Sequence, residues 1–335
     1  MSSISPLRND SSKSVSGNEE LFKQARALRD QVFGSTVFVR GVIEVSNFCR
    51  QNCNYCGMRR DNRDLRRFRI ELETLRDLVR RDLPEIITDL NIQTGEDAVG
   101  VREIVIPLVE TIRRETSMGV SVCLGTLDPK LYDELRQAGA SYYIIKMESG
   151  NADHYRAIQA PGTFEKRIEA IRYLAESGWG VSSGFIVGLP GQTQAHIDET
   201  IDLLSDLPLA GSSVSPFISG EQTPFHGNPA GDVETTLDAL ARLRLRNPRH
   251  IIPAVSAMNL VGDKGYVRAL RAGANLATIN LTPNDLRPDY LLYKRERVIM
   301  HEQRVRAAIE EAGCAVSPVG VAKTLALGLR EMKNT

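Results

Sequence analysis

From residue 37 onward the chain alternates between short apolar runs of β-branched character and longer stretches in which apolar residues return every three or four positions. The first kind reads as strands and the second as amphipathic helices. Eight candidate strands result, at 37–45, 86–93, 120–124, 142–148, 181–187, 212–217, 251–255 and 276–281, with helical patterns between them at 71–83, 101–116, 129–138, 163–177, 195–207, 233–245 and 264–272. Gly139, Gly178 and Gly273 follow three of those helical stretches, where a left-handed residue closes a helix. Such alternation predicts a parallel α/β architecture, and a count of eight predicts a (β/α)8 TIM-type barrel, with a doubly wound sheet as the alternative. A helical pattern through Leu21, Leu28 and Val32 precedes the first strand and another over 298–312 follows the last, so the barrel should carry an N-terminal helix and a C-terminal helical extension. The Ser-rich residues 1–17 are poor in apolar content and read as a disordered tail, leaving 18–335 as one domain.

Charge narrows the range of partners. Lys plus Arg and Asp plus Glu both number 42, which removes the electrostatic footprint of a nucleic-acid binder and favours a small-molecule substrate. The longest apolar runs fall short of a membrane span, and the polar start lacks the apolar centre of a signal peptide. Three of the five cysteines are clustered, a usage that suits a reducing compartment, and the expectation is a cytoplasmic protein.

The cluster itself is Cys49, Cys53 and Cys56, spaced C-x3-C-x2-C just beyond the end of strand one. In a barrel that is the carboxyl face, where active sites sit. Thiolates hold iron–sulfur clusters, and three in place of four leave one iron open. A structural zinc would need a fourth ligand, and the first His in the chain is His154. Cys53 and Cys56 also form a C-x-x-C pair of the redox type, a reading that leaves Cys49 without a role. Further candidates lie at later strand ends: Gly95-Glu96-Asp97 after strand two, Lys146 and Glu148 two apart and therefore on one face of strand four, and Gly184, Ile186 and Gly188 along strand five.

The cysteine spacing, with Tyr55 just before the last Cys, resembles the signature of the radical S-adenosylmethionine (SAM) superfamily. Gly188-Leu189-Pro190-Gly191-Gln192-Thr193, Pro253-Ala254 and Ala272-Gly273-Ala274-Asn275 look like its biotin synthase-like branch, which holds methylornithine synthase and the radical SAM [FeFe]-hydrogenase maturase. The resemblance implies one 4Fe–4S cluster on Cys49, Cys53 and Cys56. It implies SAM held by Tyr55, Gly95, Glu96, Asp97, Glu148, Arg167, Gly184, Ile186 and Gly188. Reductive cleavage of SAM would give a 5′-deoxyadenosyl radical acting on a small amino-acid-like substrate inside the barrel, by carbon-skeleton rearrangement or fragmentation. Candidate substrate contacts are Lys146, Ser215, Ser256, Asn259, Asn280, Thr282, Tyr290 and Tyr293. The alternatives are a maturase-like enzyme acting on a small sulfur compound and a non-enzymatic iron–sulfur scaffold. Only Cys123 and Cys314 remain for a second cluster, which argues against sulfur insertion of the biotin type. The arginines at 59, 60, 63, 66, 67 and 69 read first as a solvated surface, and second as a docking patch for reduced flavodoxin or ferredoxin as electron donor.

Overall fold

The computed structural model describes residues 11–81 and 83–333. Its strands are β1 (Thr36–Ser46), β2 (Asp89–Thr94), β3 (Gly119–Cys123), β4 (Tyr142–Ile144), β5 (Gly180–Val187), β6 (Gly211–Pro216), β7 (Leu276–Asn280) and β8 (Ala315–Val316). The first seven run parallel in the order β6-β5-β4-β3-β2-β1-β7. The gap between β6 and β7 is closed by residues 251–253: Ile251 bridges Gly211 and Pro253 bridges Leu276, both in parallel sense. Ser212 N donates to Ile251 O at 3.1 Å and Ala254 N to Leu276 O at 2.9 Å. The expected strand 251–255 is thus reduced to two bridges, because Pro253 has no N–H to continue a ladder. Counting it, eight parallel segments form a TIM-type barrel with helices on the outside.

Three differences from expectation bear on the site. β4 ends at Ile144, four residues early; beyond it Glu148 adopts φ 64°, which interrupts the ladder and leaves a single bridge to Phe185. The N-terminal helix runs Ser11–Phe33, so it begins inside the stretch expected to be a tail, since polar turns extend a helix that is nucleated by packing downstream. Residues 1–10 of that tail lie outside the described residues. At the other end, helix Glu302–Glu311 is followed by β8, which pairs with Thr36 and Val37, and by an unexpected helix, Val321–Lys333. That helix lies across the amino face of the barrel, where Asp89 Oδ2 and Oδ1 accept from Val321 N at 2.9 Å and Ala322 N at 3.0 Å. Among the described residues no helix is long and apolar enough to cross a membrane.

Candidate active site at the carboxyl face of the barrel

β1 ends at Ser46, and the chain then loops over the barrel mouth as residues 47–57 before any regular element forms. Side chains hold this loop in shape. Asn47 Nδ2 donates to Arg66 O at 2.8 Å and Asp289 O at 2.7 Å, while Asn47 Oδ1 accepts from Phe68 N at 2.8 Å. Arg67 donates to four carbonyls, of Asn47, Met58, Arg59 and Asn62, at 2.7 to 3.2 Å. Arg69 lies 4.1 Å over the Phe48 ring and grips Asp97 with two bonds of 2.7 and 2.8 Å. Arg66 pairs with Asp289 at 2.6 Å, and Gly57 N donates to Leu292 O at 3.2 Å. The basic run is therefore not simply a solvated face: Arg66, Arg67 and Arg69 fasten the cysteine loop.

The loop rests on the turn after β2. A Cβ on Gly95 would lie 2.2 Å from Phe48 O and 2.7 Å from Cys49 Cβ, so only glycine fits there. The neighbouring Glu96 N–H points at Cys49 Sγ, 3.4 Å away. Burial pushes the Cys56 thiol up to about 12, with the Cys49 charge adding to it, and raises Cys53 and Cys49 as well. Three thiols so disfavoured as anions become thiolates when they face a metal group, whose positive charge reverses the local balance. No three acidic, His or Cys side chains among the described residues converge on a single ion. A cubane does not need that, since each thiolate takes a different iron. The donor set fits a three-Cys cluster, with Cys49, Cys53 and Cys56 all facing one cavity of about 380 Å³ that runs down the barrel.

Tyr55, Gly95, Glu96, Glu148, Arg167 and Ile186 line the same cavity, as do Lys146, Ser215, Ser256, Asn280, Tyr290 and Tyr293. Glu96 is already engaged: Oε1 accepts from Thr126 N at 2.9 Å and faces Arg167 at 3.4 Å, and Oε2 accepts from Gln51 at 2.5 Å and Arg50 at 3.1 Å. Arg167 also donates to Pro161 O at 3.3 Å; burial opposes its charge, while Tyr155 and Glu96 more than restore it. Glu148 is different. Its Oε2 is buried with no partner, and burial raises its carboxyl against the pull of Lys146 and Arg167.

Five expected residues do not reach the cavity. Asp97 is spent on Arg69, on Ser46 Oγ at 2.6 Å and on Gly100 N at 3.1 Å. Gly184 gives β6 its close approach, since a Cβ there would lie 2.0 Å from Ser213 Oγ. Gly188 is required by a φ of 88° and by Gly231, 2.4 Å from where its Cβ would stand. Thr282 Oγ1 accepts from Glu44 N at 2.9 Å, and Asn259 Oδ1 accepts from Tyr266 N at 2.9 Å. Conversely, the sequence reading passed over Arg40, Glu44, Cys123 and Arg297, which line the cavity. Arg297 and Glu44 form a buried two-pronged pair at 2.6 and 2.8 Å. Arg40 donates from Nε to Thr278 Oγ1 at 3.2 Å, and burial lowers its pKa. The missed signal was Arg40 and Glu44 at even spacing in an apolar β1, the same pattern that singled out Lys146 and Glu148.

A profile of the Radical SAM superfamily matches residues 43–204. The chain is 34% identical over 281 residues to "[FeFe] hydrogenase maturase subunit HydE" of Thermotoga maritima, spanning 82% of this chain and 79% of that protein. It is 27% identical over 294 residues to 3-methylornithine synthase of Methanosarcina barkeri, spanning 85% and 81%. The crystal structure of methylornithine synthase superposes with a TM-score of 0.78 at 23% identity, over 93% of this chain and 91% of that one. Fold, thiol loop and relatives agree: the chain belongs to the radical SAM superfamily, whose enzymes bind a 4Fe–4S cluster and SAM, act on small molecules and draw on an electron donor.

Proposed function

We propose that this enzyme acts on a small amino-acid-like substrate held inside the barrel, rearranging or fragmenting its carbon skeleton. The observation that carries the reading is a cavity lined by charges of both signs and faced by three thiols: Lys146 and Arg40 as cations, and Glu148 with its unpartnered Oε2 as the anion. A zwitterion offers a carboxylate to the first pair, and the last suits an ammonium or hydroxyl, whether of SAM or of the substrate. When bound and reduced by one electron, the cluster and SAM supply a 5′-deoxyadenosyl radical. The chain's own contribution is to fix position and exclude water. Tyr55 stands between two of the thiols over the cavity, Ser215, Ser256 and Tyr293 offer hydroxyls along its wall, and the barrel encloses it. Arg60 and Arg63, exposed beside the cysteine loop, suit docking of an acidic donor such as reduced flavodoxin or ferredoxin.

A maturase-type role on a small sulfur compound is the second reading, favoured by the 34% identity to the hydrogenase maturase subunit. One anaerobic experiment serves both. Iron-reconstituted protein with SAM and a strong reductant is expected to form 5′-deoxyadenosine, and Cys53→Ala none. Perdeuterated amino acids are then supplied singly; transfer of deuterium into 5′-deoxyadenosine identifies the substrate. If no amino acid transfers label and a small thiol compound does, the second reading replaces the first. Failure of the reconstituted protein to bind SAM would refute both.

A further inference from the structure

We propose that Cys123 is the hydrogen-atom donor that quenches the carbon radical in the barrel, so that SAM is consumed in each turnover. This rests on the radical reading above and specifies its final step.

Cys123 is the last residue of β3, paired in register with Gln93 of β2, and its side chain faces the cavity that the three loop cysteines also face. It takes no part in the thiol loop. Two and three residues on, the chain touches the cofactor end: a Cβ on Gly125 would lie 2.0 Å from Glu96 Cγ, and Thr126 N donates to Glu96 Oε1. Cys123 therefore stands below the cysteines and above the barrel floor, within the electrostatic reach of Lys146, Arg40, Glu148 and Arg167.

Independent of the thiol, the groups around it indicate a ligand. Arg40 is 92% buried in a wall of the same cavity, since its relative exposure is 8%; among the described residues it has no carboxylate partner, and its hydrogen bond uses only Nε. Lys146 acts on Glu148 by charge without bonding it, and Glu148 Oε2 is buried without a partner. Buried polar groups left open in this way are satisfied by what binds between them. A molecule so held shares the cavity that Cys123 lines.

Burial dominates the thiol's environment and keeps it protonated, despite the nearby cations. A neutral S–H is the form that gives up a hydrogen atom; a thiolate gives up an electron pair. The step balances as follows. The S–H bond breaks homolytically, a C–H bond forms on the substrate radical, and a thiyl radical remains on Sγ. One electron from the low-potential donor that serves the cluster, with one proton from solvent, restores the thiol.

The test needs no identified substrate. Cluster-loaded protein is exchanged into D2O and reduced with dithionite in the presence of SAM alone, so that the deoxyadenosyl radical itself meets the S–D bond. Wild type should give singly deuterated 5′-deoxyadenosine, and Cys123→Ala and Cys123→Ser should lower the deuterium per molecule formed at least tenfold. This ratio is independent of rate, and SAM binding and melting temperature check that the variants are folded. A nitrone spin trap present during reduction should mark the peptide bearing Cys123. Undiminished deuterium in Cys123→Ala, unlabelled product from wild type, or the trap on Tyr55, Tyr290 or Tyr293 would overturn the proposal. Failure of the amino-acid reading shows separately, as labelling through Cys123 with no amino acid ever transferring deuterium.

Discussion

A guanidinium carries five N–H donors in a rigid plane, and Arg67 directs four bonds to carbonyls of a loop that has no ladder or helix of its own. Replacing it by Met keeps the apolar stem and leaves those carbonyls without a donor. Bonds to charged groups are worth about 1.5–3 kcal/mol each and are not additive, so a loss of about 3 kcal/mol confined to the loop is expected for Arg67→Met. Iron bound per chain after reconstitution should fall by more than half while the far-ultraviolet circular dichroism stays unchanged. Nothing in the local sequence separates Arg67 from Arg60, which is exposed and pairs with its neighbour Asp61. The difference arises because the chain doubles back on itself, a tertiary fact that charge patterning cannot carry. Gly95 was legible as a glycine with a purpose, yet its neighbour proves to be Phe48 O and not a ligand atom.

Strands and helices were legible wherever burial enforces a period, which is why β5 and helix Pro129–Ala138 fall within one residue of expectation. The pattern was misleading where one backbone atom or angle decides: Pro253 cannot donate, and Glu148 leaves the extended region. Helix Val321–Lys333 was missed for another reason. Its start follows Pro318 and Gly320, which break the local periodicity, and it is fixed by a carboxylate 232 positions earlier. Asp89→Ala should cost about 1–2 kcal/mol through loss of this cap. The checkable signature is faster hydrogen exchange confined to 321–333, with slower elements unaffected. A Cβ on Gly119 would lie 2.1 Å from Asp89 Oδ1 and one on Gly320 2.6 Å from Asp89 Oδ2, so the three residues form one joint at the barrel floor.

For the whole molecule, the seam at 251–253 is the thinnest part of the barrel, and it begins beside a buried imidazole. Burial, then the charge of Arg244, lowers His250 to about 4, with Nδ1 3.3 Å from Ser212 Oγ. Unfolded, the ring titrates near 6.5. Between those values the unfolded chain binds the extra proton, so stability is full above the unfolded value and falls as pH drops through the window. At about 1.36 kcal/mol per unit the loss reaches about 3 kcal/mol. The urea midpoint should decline from pH 7 to pH 5 in wild type, and His250→Gln should flatten that slope. The barrel and the thiol loop were legible from alternation and spacing alone; the ion pair between Glu44 and Arg297 was not, because 253 residues separate its members. The same long reach governs how the protein is made. Asn47 waits for Asp289, 242 positions later, and Gly57 for Leu292. At about 5–20 residues per second the cysteines leave the ribosome some ~10–50 seconds before the wall that braces them exists. Metal loading thus belongs after chain completion, and a product cut short before residue 289 keeps all three loop cysteines yet has no pocket for iron.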